Sequence, residues 1–535
     1  MDFLTVNRQV PLSVSKKSEE SESNEDLEVD NSNSVLLKIA TLYAEQLMSD
    51  LTLEVGGRRY PAHRLILCAS SEVFQVMLMN REWSEWRESR IVLQETPTAA
   101  TVFPHFIKYF YTGHIRISYQ TVLPVLSLAD KYNVKDLVSL CLGYMAQHIA
   151  QAAKRGQLIS WMQYTMACGH NEVAKACQNF VKWNLEWVWS DSDLSELEGE
   201  TLVQLLQQSD LVLHNEMSLY HFVVRWLNQQ RDRLNASDLS KAEMKAHWES
   251  LVAAVFSHVR FPMMCPNQLA KLLLCPLTQE HKDFFMERMA IAMSYQSGQY
   301  ERVAEVQQTE AGRMLFTPRL YTEDTWGSVL AVDNFHSLPC YHTRTFIFST
   351  RPSIADVAPQ DKLTEWTVDL YPKGVWFKKS LLIVWAGTYD VPEVVLRTVR
   401  ISITCQNCPT GTLNQYGEAE QPEPDVRVKI GILVWGVQKG VEHVSSVVER
   451  VHRFSAQNRV LNIDGALDFD ELNTPLYSPG PPTPPPQPPP YKCSKCSESS
   501  EEVEPRHLLG PNREQLRVQV IIVPLTDYCH VSPRS

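Results

Sequence analysis

Long apolar runs are missing from the 535-residue sequence. The longest candidates are short pieces such as residues 430–437, well below the ~18 residues that span a bilayer, so no membrane partner is expected. Basic residues are outnumbered, 50 Lys and Arg against 62 Asp and Glu, for a net charge of −12. Binding nucleic acid by neutralising phosphates needs clustered Lys and Arg, so no nucleic-acid partner is expected either. Glycine is scarce at 20 residues, few of them paired, and no segment repeats with the period of a blade or solenoid, which argues against a β-propeller. Twelve cysteines are too sparse for a disulfide scaffold. Most stand in apolar stretches such as LILCAS and SLCLGYM, where Cys behaves as a small hydrophobe. The first 30 residues offer only broken apolar pairs, not the core of a secretory signal. The expected setting is a reducing one, the cytoplasm, with the nucleus also open. No Walker loop, GxSxG elbow, HExxH pair or local cysteine-nucleophile signature occurs, so neither catalysis nor a cofactor is expected.

What is present is globular. Hydrophobic residues make up 44% and charged residues 21%, close to ordinary folded proteins, and at roughly 100 to 200 residues per domain the length suggests about three domains. Residues 1–33 carry an acidic run and almost no large apolar groups, the composition of a disordered tail. Ten of the 31 prolines fall between residues 475 and 490, which marks a disordered, Pro-rich insertion at 473–508. Elsewhere the pattern changes once, near residue 315. Before it, apolar residues recur at helical spacing, as in Phe103, Phe106, Ile107, Phe110 and Tyr111. After it, they alternate with period two, as in Val426, Val428, Ile430 and Ile432, with Arg427 and Lys429 between them, and in Leu516, Val518, Val520 and Ile522. The absence of helical crossovers there favours an antiparallel sandwich. The expected class is multidomain α+β.

Near the start, LTLEV, Gly56-Gly57 and RRYPA read as a two-residue hairpin, followed by two short helices, the strand RIVLQ and several amphipathic helices. Asp50, His63, Phe74, Met77, the sequence YTG at 111–113 and ADKY at 129–132 fall in the order of a BTB/POZ domain, which residues 34–149 resemble. The resemblance implies a protein-interaction fold that dimerises through an N-terminal helix. Here that helix is residues 35–48, with Leu36, Ile39, Tyr43 and Leu47 on its stripe; the other reading is a helix that caps its own domain. His63 is read as a packed histidine with satisfied ring nitrogens rather than a ligand or base. Cullin-binding members of the family carry a hydrophobic-X-Glu motif before the strand that RIVLQ matches, and this implies Trp86 and Glu88 as the cullin contact. The alternative is a Trp86 folded back on the surface beside Trp83.

Residues 150–300 show no strand pattern. Leu205, Leu206, Asp210, Leu213, Glu216, Trp226, Leu227, Val259, Arg260, Phe261 and Pro262 resemble a BACK domain, an all-helical unit whose first helix pair, here 150–183, extends the cullin contact in cullin-3 adaptors. Residues 315–525 contain the W-x-V-x-L-Y-P-K-G-V string at 366–375 and resemble a TRAF-like β-sandwich, a fold that other BTB proteins use to hold substrates.

Two CxxC pairs stand apart, Cys405 with Cys408 and Cys493 with Cys496. Four thiolates suffice for one zinc, but the 84 residues between the pairs far exceed finger spacing, and two unrelated turns are the simpler reading. Pro488, Pro489 and Tyr491 belong to a PPxY string, the form WW domains read as a preformed polyproline helix; the plain alternative is a spacer. The resemblances together imply a substrate-recognition adaptor of a cullin-3 RING E3 ubiquitin ligase. Its partners would be cullin-3, a second copy of itself, an unknown protein substrate and a WW-domain protein. The alternative is an oligomeric BTB scaffold or regulator that meets no ligase.

Overall fold

The computed structural model describes residues 30–190, 196–236, 240–355, 363–375, 383–384, 387–388, 396–408, 425–473 and 506–525. The acidic tail to residue 29 and residues 474–505 of the Pro-rich segment lie outside that set, and Pro488, Pro489, Tyr491, Cys493 and Cys496 with them.

The first sheet begins where the sequence alternates. Leu51, Leu53 and Val55 are buried along strand Leu51–Val55, which turns back through Gly56 and Gly57 into Arg58–Ala62. Both glycines have positive φ, 55° and 78°, which the hairpin demands and a Cβ resists. Strand Arg90–Leu93 adds parallel to Leu51–Val55. Helices pack around the buried Phe74, Phe103, Phe106 and Tyr111, and Tyr132 stacks on Phe74 with ring centroids 4.6 Å apart. The N-terminal helix is shorter than the stripe predicts. It spans Ser32–Ala44, not 35–48, and Gln46 and Met48 take positive φ of 54° and 58°, so Leu47 sits in a turn beyond it.

From Lys135–Gln147 to Lys282–Gln296 the chain is almost wholly helical. Trp161 and Trp226 are fully buried, and the Trp226 indole donates to the Leu197 carbonyl at 3.1 Å. Asn215 opens helix Glu216–Asn235 with a capping box closed by Ser218, satisfying backbone donors that the first turn leaves free. This unit is not strand-free, as the sequence suggested: Val212–Leu213 pairs in parallel with Leu320–Tyr321, the segment that leads into the last domain.

That last domain is the expected antiparallel sandwich. One sheet runs in the order Val441–Phe454, Val426–Gln438, Leu516–Pro524, Gly327–Val332; the other runs Val460–Ile463, Arg400–Cys405, Thr364–Tyr371, Arg344–Thr350. Ile430, Ile432, Val434, Val518, Val520 and Ile522 fill the space between the sheets with Trp366, Val368, Ile401 and Ile403. The opposite face of the first sheet is buried as well. Leu433, Val444, Ile521 and Val523 belong to the core of the helical units, so this sheet lies between two hydrophobic layers. Gly431 marks the closest approach: a Cβ there would meet the Leu320 side chain at 2.6 Å.

Candidate functional site

Four places can carry function, and the first three are each fixed by a polar device. The first is the loop after helix Glu72–Met79. Asp50 accepts the Arg64 N–H at 2.9 Å, and the Arg64 guanidinium donates to the carbonyls of Leu78 (3.4 Å), Trp86 (3.1 Å) and Glu88. One cation thus ties the end of the helix to the backbone of the loop. The half-buried Trp86 ring is flanked by Arg87 at 4.8 Å and Arg81 at 5.6 Å, while Trp83 is 48% exposed and Glu88 is exposed. Cation–π contact orients the indole without hiding it. Beside the loop, Val73, Val76 and Met79 make an exposed apolar row along helix Glu72–Met79. Sequence reasoning singled out Trp86 and Glu88 but neither the Arg64 brace nor this row, whose helical spacing was the available signal.

The second surface is the N-terminal helix. The four residues predicted for dimerisation divide: Ile39 and Tyr43 pack on the domain's own core, Tyr43 stacking on Tyr111 at 4.8 Å, whereas Leu36 and Leu47 are 51% and 45% exposed beside the exposed Val35 and Leu37. His63 serves this packing. Its Nε2 is 2.7 Å from the Leu47 carbonyl and its Nδ1 3.0 Å from the Tyr111 hydroxyl, so both ring nitrogens are satisfied and the imidazole is structural.

The third is the joint between the helical unit and the sandwich, which the sequence did not announce. Glu216 and Arg319 are both fully buried and pair at 2.5 Å; the Tyr321 hydroxyl (2.9 Å) and the Arg260 N–H (3.2 Å) also donate to Glu216. The Arg260 guanidinium reaches the Thr317 carbonyl (2.5 Å) and Ser209 Oγ (3.0 Å). Lys429, placed by simple alternation among the outward residues, is buried and donates to the carbonyls of Ser209 (2.8 Å) and Pro318 (3.2 Å), with Glu449 at 3.2 Å. Burial, then the neighbouring Arg319, pushes Arg260 down to about 9, and burial also lowers Lys429. Burial, with Glu216 alongside, raises the Tyr321 phenol well above its ordinary value.

Two amides complete the joint. Asn184 donates to the Val444 carbonyl (3.0 Å) and accepts its N–H (2.7 Å), while Gln438 donates to the Ala146 carbonyl (3.0 Å) and accepts the Ala150 N–H (2.8 Å). Asn184 thereby supplies hydrogen bonds to the otherwise open edge of strand Val441–Phe454.

On the other sheet, strand Arg344–Thr350 pairs on one side only among the described residues; it carries Ile347, 69% exposed, between the stacked Phe346 and Phe348.

Residues 40–149 match the family described as BTB/POZ domain, residues 158–274 the family BTB And C-terminal Kelch, and residues 316–526 the BTBD17 TRAF domain. The chain is a BTB/POZ–BACK protein with a TRAF domain. This BTB–BACK–TRAF chain is similar to BTB/POZ domain-containing protein 17 of Homo sapiens, 28% identical over 67% of the chain and 70% of that protein, and to its Xenopus laevis counterpart, 26% identical over 67% and 71%. It also resembles Galectin-3-binding protein of Mus musculus, at 22% identity over 66% of the chain and 58% of that protein. BTB and BACK domains are typical of cullin-3 substrate adaptors, and domains of these three types are generally non-catalytic.

Of the CxxC pairs, Cys405 and Cys408 are both buried in the TRAF sandwich core. Burial, with the Cys408 thiol beside it, pushes Cys405 up to about 12, which favours a thiol over the thiolate a metal needs. The described residues contain no cluster of three or more metal-ligating side chains, and none of their helices is long and apolar enough to cross a membrane.

Proposed function

We propose that this chain is a substrate-recognition adaptor of a cullin-3 RING E3 ubiquitin ligase. The supporting observation is the braced loop: an oriented Trp86, an exposed Glu88 and the apolar row Val73, Val76 and Met79 form one accessible patch, the composition of an interface hot spot. In this reading the patch takes cullin-3, the exposed face of helix Ser32–Ala44 with Leu47 pairs two chains, and the edge at Arg344–Thr350, unpaired on one side among the described residues, captures an extended segment of the target by strand addition. Proximity of target and ligase is then the whole mechanism, in the cytoplasm or the nucleus, and the Pro488, Pro489 and Tyr491 string offers a WW-domain protein a place to bind.

One observation favours the second reading, an oligomeric scaffold that meets no ligase. The Gln438 and Lys439 turn of the sandwich hydrogen-bonds to Ala146, Ala150 and Gln151, at the first BACK helices that would extend a cullin contact. Calorimetric titration with the cullin-3 N-terminal domain decides between them. The wild type should bind, and Trp86→Ala with Glu88→Ala should weaken binding by at least about 2 kcal/mol, roughly thirtyfold. Absence of wild-type binding selects the scaffold. Undiminished binding by a folded double variant moves the contact off the loop.

A further inference from the structure

A cleft of about 850 Å³ opens between helix Lys282–Gln296, residues 257–260 and the linker helix Glu310–Leu315. That volume falls within the range of sites that enclose small organic molecules. Ile291, Val306, Met314 and Leu315 supply apolar lining; Ser257, His258, Arg260 and Arg288 are among the polar lining. Arg288 is the unusual member. Its guanidinium stacks on Phe284 at 4.7 Å and donates one hydrogen bond to Ser257 Oγ at 3.2 Å, but its buried Nε has no acceptor. A buried donor on a cation with no acceptor is costly. Among the described residues no carboxylate forms an ion pair with Arg288; burial lowers its pKa, against the opposing charge of Glu287. Burial and the charges of Arg319, Arg288 and Arg260 hold the nearby His258 below its ordinary value. The two carboxylates of the cleft, Glu287 and Glu310, are exposed. They disfavour a multiply charged anion such as a phosphate monoester; Arg260, which also lines the cleft, is already engaged by the Thr317 carbonyl and Ser209 Oγ, so a single carboxylate matches the guanidinium left with an open donor, Arg288.

We propose that this cleft binds an amphipathic monocarboxylate of the medium-chain alkyl class, its carboxylate accepting from Arg288 and its chain lying along Ile291, Val306, Met314 and Leu315. Such a ligand touches both the BACK unit and the linker helix. Because Arg260 and His258 also hold linker residues Thr317 and Arg319, an occupant would tighten the joint as well as fill the cleft.

The test is calorimetric titration of the full chain with decanoate and, as the uncharged counterpart, decanol. Decanoate should bind saturably at one site, and decanol should bind at least about tenfold more weakly, the worth of a charge-assisted hydrogen bond. Arg288→Met, which keeps apolar bulk, should remove that preference, and Leu274→Ser, at an 84% exposed position outside the cleft, should leave it intact. Equal affinity for the two probes, an unchanged preference in Arg288→Met, or loss of binding in Leu274→Ser overturns the assignment. If Arg288→Met does not fold, Met314→Glu carries the test: it should repel decanoate at least about tenfold by like charge, and retained binding overturns the proposal.

Discussion

A carboxylate with no exposed surface is tolerated only where charge and hydrogen bonds replace its water. At Glu216 the replacements are three donors from two parts of the chain: Arg319 and Tyr321 from the linker and the Arg260 N–H from the BACK unit. Removing the negative charge leaves Arg319 and Arg260 buried without compensation. Glu216→Gln, nearly isosteric, should therefore cost about 3 to 5 kcal/mol in denaturant unfolding, as broken buried pairs do. Glu449→Gln is the contrast. Its carboxylate is 34% exposed, and Lys429 keeps the carbonyls of Ser209 and Pro318, so the loss should be about 1 kcal/mol or less. Glu216 was legible in the sequence as a BACK-typical position; its partner was not. Arg319 lies 103 residues further along, and no local pattern tells a linker arginine in solvent from one in a core. His63 was legible, because a histidine with no nucleophile near it in sequence had little to do but pack.

Single elements show where periodicity stops being informative. The stripe of Leu36, Ile39 and Tyr43 told which residues share a helix face, but not which neighbour covers each of them. The structure covers Ile39 and Tyr43 from within and leaves Leu36 and Leu47 outside. If a second copy covers the exposed part, Leu36→Asp with Leu47→Asp should halve the mass seen by light scattering and leave the thermal midpoint of the monomer nearly unchanged. Tyr43→Ala should instead lower the midpoint, because it removes a packed ring and its stack on Tyr111. A concentration-independent monomer mass for the wild type would refute the dimer. In strand Val426–Gln438, alternation correctly found the sandwich-facing residues Val428, Ile430 and Ile432. It missed that Leu433 and Lys429 face a second layer. The signal was present: IGILVW is a continuous apolar run, which marks a strand buried on both faces. Since that second face is shared with BACK, removing the sandwich would uncover the helical core, and Ile347→Asp on the free edge is the cleaner probe of target capture. If that edge captures a target and the braced loop takes cullin-3, as proposed, Ile347→Asp should abolish the co-purifying target while leaving cullin-3 binding and fold intact.

At the scale of the whole molecule, the shared core makes the BACK and TRAF units one cooperative body, and half-buried histidines at the joint make that body sensitive to acid. His443 packs against Phe180 across the joint, the rings tilted with centroids 5.0 Å apart, and the His258 carbonyl accepts from Arg319. Both imidazoles are held below their ordinary value of 6.5, chiefly by burial, with nearby arginines adding to the effect at His258. A histidine depressed in the folded state binds protons more readily once the chain unfolds. Between the folded value and 6.5, the unfolded chain therefore carries the extra proton, and stability must rise with pH through that window. Above about 6.5 the contribution is fully present; as pH falls below it, each histidine withdraws up to about 1.4 kcal/mol per pH unit until its folded value is reached. Denaturant unfolding followed by tryptophan fluorescence should show a single transition for the BACK and TRAF units at pH 7.5 and a lower midpoint at pH 5.5. His443→Phe keeps an aromatic ring against Phe180 and cannot take up a proton, so it should flatten the pH dependence while leaving the pH 7.5 midpoint within about 1.5 kcal/mol of wild type. Two separated transitions at pH 7.5 would show that the units are not one body, and an unchanged slope in His443→Phe would remove His443 from the acid response.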